Sequence, residues 1–98
     1  MEFEKTASDY TIEVSKEDML AILKAERTVY DATLCDKLEK IDGVSNVNYD
    51  GHFGAAIYLK LDTEHDNDAT RHEITATIEA TIAEYKTKLG GKILKVSE

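Results

Sequence analysis

Proline is absent, cysteine occurs once, glycine only five times, and cations are outnumbered by anions. With no proline-rich linker, internal repeat or low-complexity tract, the 98 residues are expected to form one domain, 1–98. The lone Cys35 cannot close an internal disulfide, which fits a reducing compartment. Apolar runs are broken by charge well short of the ~20 residues that span a bilayer. The opening "MEFEKTASD" has neither the basic nor the apolar region of a signal peptide, so a soluble, cytoplasmic protein is expected. No glycine-rich phosphate loop is present, because Gly90-Gly91 closes a helical stretch instead of opening one.

What the chain does contain is acid. Twenty Asp and Glu against twelve Lys and Arg give a formal charge of −8. That field repels phosphate backbones and anionic membranes, whose binding relies on Lys and Arg, and it attracts a basic partner. With 42% apolar and 33% charged residues, a folded core is expected.

"YTIEV" (10–14) alternates as a half-buried strand with Tyr10, Ile12 and Val14 on one side. Ser15 with Asp18 then opens a helix. Met19, Leu20, Ile22, Leu23, Val29, Tyr30, Leu34, Leu38 and Ile41 follow at helical spacing, interrupted at Glu26 and Arg27, where Thr28 with Asp31 offers a second capping box. A continuous helix from 16 to 41 is the preferred reading; at ~1.5 Å per residue it spans roughly 39 Å and projects beyond a four-stranded sheet. Gly43 is its left-handed stop.

"VSNVNY" and "FGAAIYLKL" flank Asp50-Gly51 as a hairpin. A two-residue turn would place Val47 and Tyr49 on the face of Ala56 and Tyr58. A three-residue loop, Asp50 to His52, places them with Phe53, Ala55 and Ile57. The second register is preferred, since burying a Val or Tyr stabilises by ~1.5 to 3 kcal/mol each. Its outer face, with Ser45, Gly54, Ala56, Tyr58 and Lys60, is nearly flat.

A second helix is expected from about Asp68 to Leu89, with Ile74, Ile78, Ile82, Tyr85 and Leu89 inward and Ala76, Ala80 and Ala83 suited to close packing. "KILKV" supplies a last strand. The order predicts an α+β, ferredoxin-like βαββαβ sandwich, with an antiparallel four-stranded sheet of order 4-1-3-2 and both helices on one face.

"LDTEHDNDATRHE" (61–73) invites a metal reading. Counted from Asp62, Glu64, Asp66 and Glu73 fall at positions three, five and twelve of an EF-hand loop. Asn67, however, stands where that loop needs glycine, and a strand precedes it. Acids entering a helix N-terminus, with Thr70 and Glu73 as cap, account for the stretch. His65 and His72 are seven apart, and with His65 in the loop no helical spacing brings them together on a transition metal. In "GHFGAAIY", Phe53, Gly54 and Tyr58 partly resemble an RNA-recognition motif, but the leading cation and the central ring are missing. Cys35 has Asp31, Asp36 and Glu39 nearby, which raise a thiol's pKa.

The expectation is a non-catalytic protein-interaction module, without cofactor or metal, binding a basic protein or forming a homodimer through the bare sheet face or the projecting helix end. Small acidic phage-encoded inhibitors of host defence nucleases resemble it in size and charge, which implies carboxylates standing where phosphates would sit. Glu17, Glu26, Asp31, Asp36, Glu39, Tyr58, Asp62, Glu64, Asp66 and Asp68 are the candidate contact residues. The alternative is a ferredoxin-like small-molecule-binding protein or enzyme, with a pocket between sheet and helices formed by Tyr30, Tyr58 or His52.

Overall fold

A computed structural model describes residues 2–6, 9–27, 33–50 and 55–89. Its elements run β1 (Glu2–Thr6), β2 (Asp9–Glu13), α1 (Lys16–Glu26), α2 (Leu34–Glu39), β3 (Val44–Asp50), β4 (Ala56–Leu61), a 3-10 turn (Thr63–His65) and α3 (Asp68–Leu89). The fold is α+β. No helix among the described residues is long and apolar enough to cross a membrane.

Three antiparallel strands, β2-β4-β3, form the body of the sheet, and β1 adds an edge to β2. The order of that body is the expected 1-3-2. The fourth position differs: β1 takes the edge that the C-terminal strand was expected to fill, while "KILKV" lies outside the described residues. Only two residues separate β1 from β2, so a local hairpin closes at small entropic cost.

Alternation on β2 and β4 sends Tyr10, Ile12, Ile57, Leu59 and Leu61 to one face, where Met19, Ile22, Leu34, Leu38, Ile74, Ile78, Ile82 and Tyr85 cover them in one core cluster. Ser15 caps α1, accepting from the Asp18 amide at 3.0 Å. α3 matches its expected span, but Asn67 is its cap, accepting from the Thr70 amide at 2.9 Å.

The expected continuous helix is instead two. α1 ends at Glu26, and Thr33 begins α2 with a reciprocal capping box: its hydroxyl accepts from the Asp36 amide, and the Asp36 carboxylate accepts from the Thr33 amide. Among the described residues the expected 26-residue helix is thus replaced by one of 11 residues and one of six. Thr28, Val29, Tyr30 and Asp31 lie outside the described residues. Leu20 and Leu23, expected inward, are 41% and 36% exposed, because the 11-residue α1 turns Met19, Ile22 and Ala25 inward. Ala76, Ala80 and Ala83 are likewise exposed.

The hairpin keeps the expected face but not the expected loop. Tyr49 pairs with Ile57 and Asp50 with Ala56, so Asp50 ends a strand instead of starting a tight turn. Residues 51–54 lie outside the described set. Further back, Val44 pairs with Leu61 and Ser45 with Lys60, whereas Asn48 pairs with Tyr58, leaving Asn46 and Val47 together opposite Leu59. Asn46 takes φ 52° at this bulge. Strict alternation would face Val44 and Val47 in opposite directions; the extra residue turns both into the core.

Candidate functional site: the outer sheet face and its carboxylates

Gly43, at φ 90°, brings the chain from α2 into β3. A Cβ there would stand 2.5 Å from the Cβ of His65, so glycine is required by both backbone and neighbour. Its carbonyl accepts from the Asp62 amide at 3.0 Å, fixing the start of the acidic segment. Asp62 caps the 3-10 turn, accepting from the His65 amide at 2.9 Å and facing His65 Nδ1 at 2.7 Å. That hydrogen bond raises the His65 pKa and lowers that of Asp62.

Asp66, with a side chain only 11% exposed, faces inward along the sheet edge. It accepts from Lys5, from the Tyr10 hydroxyl at 2.6 Å and from Arg71 at 2.6 Å. The Lys5 and Tyr10 hydrogen bonds hold its carboxyl below the ordinary range. Arg71 reaches on to Asp68. Of the carboxylates at the EF-hand-like spacing, Asp62 and Asp66 thus serve different donors while Glu64 and Glu73 are exposed, and no metal-holding group of His, Cys, Asp and Glu occurs among the described residues.

Glu26 forms a second polar node. One carboxylate oxygen accepts from the Leu34 amide at 3.0 Å, the Tyr49 hydroxyl at 2.9 Å and the Tyr85 hydroxyl at 2.8 Å. It joins α1, α2, β3 and α3 through one side chain. Burial pushes both tyrosine hydroxyls above their ordinary range, and hydrogen bonding adds to that. Tyr49 accepts from the Cys35 amide at 3.2 Å. Burial, followed by the field of Glu26, Glu39 and Asp36, raises the Cys35 thiol pKa and disfavours the thiolate. This node went unrecognised in the sequence, although two tyrosines on core faces, each needing a partner for its hydroxyl, were a usable signal.

The other candidates are dispersed. Glu17 is exposed and lies 3.9 Å from Lys86, which also binds Asp18 at 2.6 Å. Asp36 is engaged in the α2 cap, and Glu39 accepts from the Val47 amide at 3.5 Å. Glu64 is exposed without a cation partner among the described residues. Tyr58, 38% exposed, points away from the core cluster, onto the sheet face that no described helix covers. It cannot line a pocket between sheet and helices, where the described space is filled by the core cluster; Tyr30 and His52 lie outside the described residues.

On that outer face Asp9, Thr11, Asn46, Asn48, Tyr58 and Lys60 border a shallow concavity. Comparison with known protein families, curated proteins and solved structures finds no match for this chain.

Proposed function

We propose that this protein is a small, acidic, non-catalytic interaction module that docks on a basic protein surface. The observation that carries the reading is the division of its charges. Lys5, Lys37, Arg71 and Lys86 are committed to ion pairs within the fold. Asp9, Glu13, Glu64, Glu73 and Glu79 are exposed and engage no cation among the described residues. Lys16, Lys24, Arg27, Lys40 and Lys60 likewise engage no anion among the described residues, so the outward surplus follows from the totals: twenty acids against twelve cations leave an excess that can meet another molecule. The inward use of Glu26, Tyr49 and Tyr85, and the raised pKa of Cys35, support a role without an activated nucleophile.

In its specific form the module occupies a nucleic-acid-binding surface as an inhibitor, with carboxylates in place of phosphates. We read the scaffold as a ferredoxin-like variant in which β1 stands where the last strand would. The test is binding of a ten-residue oligo-arginine peptide, followed by fluorescence anisotropy at 50 and 300 mM salt. Affinity should fall by about tenfold or more as salt screens the contact. Failure to bind at low salt, or affinity indifferent to salt, would remove the reading.

A further inference from the structure

The outward half of α1 is basic and apolar in a protein of net charge −8, and from it we infer a docking surface for an acidic amphipathic helix of another protein. This goes beyond the basic-partner reading and does not depend on it. At 3.6 residues per turn, α1 divides into two faces. Met19, Ala21, Ile22 and Ala25 are buried on one, with Asp18 and Glu26 half-buried beside them; Lys16, Glu17, Leu20, Leu23, Lys24 and Arg27 share the other. Leu20 and Leu23, one turn apart, are 41% and 36% exposed, and Tyr58 is the only other large apolar side chain so exposed among the described residues. Lys16, Lys24 and Arg27 surround the two leucines, and none engages an anion among the described residues. The other acids of α1 are used elsewhere: Asp18 accepts from Lys86 at 2.6 Å, and Glu26 accepts from Tyr49 and Tyr85. Glu17 alone stays on the outward half, 3.9 Å from Lys86.

Helix stability does not account for this stripe. Lys24 and Arg27 suit the negative C-terminal end of α1, but Lys16 opens the helix, where a cation opposes the dipole. Exposed leucine keeps apolar surface in water, which alanine, the better helix former, would reduce. Three cations around a two-leucine centre select a partner of the complementary order, with apolar residues at three- and four-residue spacing between carboxylates. Such a helix, laid along α1, sets its apolar stripe on Leu20 and Leu23 and its carboxylates on Lys16, Lys24 and Arg27. A second copy fits less well: α1 packed antiparallel on α1 about the two leucines would set Lys16 against Arg27 of the other copy. An anionic membrane faces the whole molecule and its net charge, whereas a short helix feels the local cations, because salt screens charge beyond roughly 8 Å.

The test uses the full chain, labelled with 15N. The probe is a synthetic peptide of about fourteen residues with leucine at helical spacing among glutamates, set beside a scrambled peptide of the same composition and oligo-glutamate of equal length. At low salt the patterned peptide should bind about fivefold or more tightly than either control, with amide shifts concentrated at Lys16, Leu20, Leu23, Lys24 and Arg27. Leu20→Ala should weaken binding about fivefold at an unchanged melting temperature, since the side chain is exposed and alanine forms helix at least as well. Glu17→Gln should tighten it about twofold, more than Glu73→Gln, which changes the net charge equally but lies on α3. A gain in affinity cannot come from damaged folding. No binding at low salt, equal binding of the scrambled peptide, shifts away from α1, or equal effects of the two glutamine variants would overturn the surface. Binding to phosphatidylserine vesicles that is lost on Leu20→Ala would assign the face to a membrane and overturn it too. Self-association lost on Leu20→Ala would do the same in favour of a second copy. None of these outcomes touches the binding of oligo-arginine, which tests the basic-partner reading separately.

Discussion

Glu26 is a charged residue in an apolar stripe, and the fold uses its charge internally. Glu26→Ala would strand the Tyr49 and Tyr85 hydroxyls and the Leu34 amide together. At ~1–3 kcal/mol for each buried group left unpaired, and with partial rescue by water, a loss of about 2–4 kcal/mol is expected in urea denaturation. Glu26→Gln keeps an acceptor oxygen and should lose less than half of that. Equal losses for the two variants would mean that the negative charge, and not the acceptor, holds the node. At His65 the partner is Asp62, and the imidazole should titrate above its ordinary value of 6.5 by NMR. Because the folded pKa is raised, the pair's stabilisation is complete below the unfolded value and disappears as pH rises through the folded one. Asp62 is depressed, so the same pair also weakens as pH falls through the folded carboxyl pKa. Asp62→Asn should lower the His65 midpoint toward its ordinary value, Asp42 and Glu64 keeping a smaller part of the rise; a midpoint unchanged by that substitution would show that Asp62 is not its main source.

Among the elements, β2, β4 and α3 were legible because strong periodicity coincided with a single buried face: Tyr10 and Ile12, Ile57 and Leu59, then Ile74, Ile78, Ile82 and Tyr85. Two devices were not. The break after Glu26 is hidden because apolar spacing continues at Leu34 and Leu38, and the Thr33–Asp36 box that restarts the helix resembles the Thr28–Asp31 pattern ahead of it. The bulge at Asn46 is hidden because alternation alone cannot show where one residue is looped out; only the joint burial of Val44 and Val47 reveals it. The edge strand β1 carries one apolar residue in "EFEKT", too little to signal a strand without its partner. The outer face was read as flat and bare with Tyr58 on it, whereas its bordering Asp9 and Asn48 follow from a register that the sequence left open. The bulge is testable by itself. Asn46→Val places a β-branched residue in the left-handed region and should cost about 1–2 kcal/mol, while Asn46→Gly should be neutral or stabilising. If valine were tolerated as well as glycine, the turn of Val47 into the core would not depend on that backbone conformation.

At the scale of the whole molecule, two electrostatic effects oppose each other. The ion pairs of Lys5, Lys37, Arg71 and Lys86 attract, but exposed pairs contribute little and salt weakens them further. The net charge of −8 repels itself, and salt relieves that. The six modest pairs these four cations make, set against a surplus of eight charges, leave repulsion dominant, so added salt should stabilise the fold. Raising NaCl from 20 to 300 mM is expected to lift the melting temperature by about 4–8 °C, the shift that ~1 kcal/mol produces in a chain of this size. The same salt should weaken binding to a basic ligand, because the carboxylates that repel one another are those offered to the partner. Opposite signs for stability and affinity, measured on one sample series by calorimetry and anisotropy, are the signature of acid held in reserve on the exterior. A melting temperature that falls with salt would show instead that internal pairing governs the charge distribution, and the exterior would have little surplus to present.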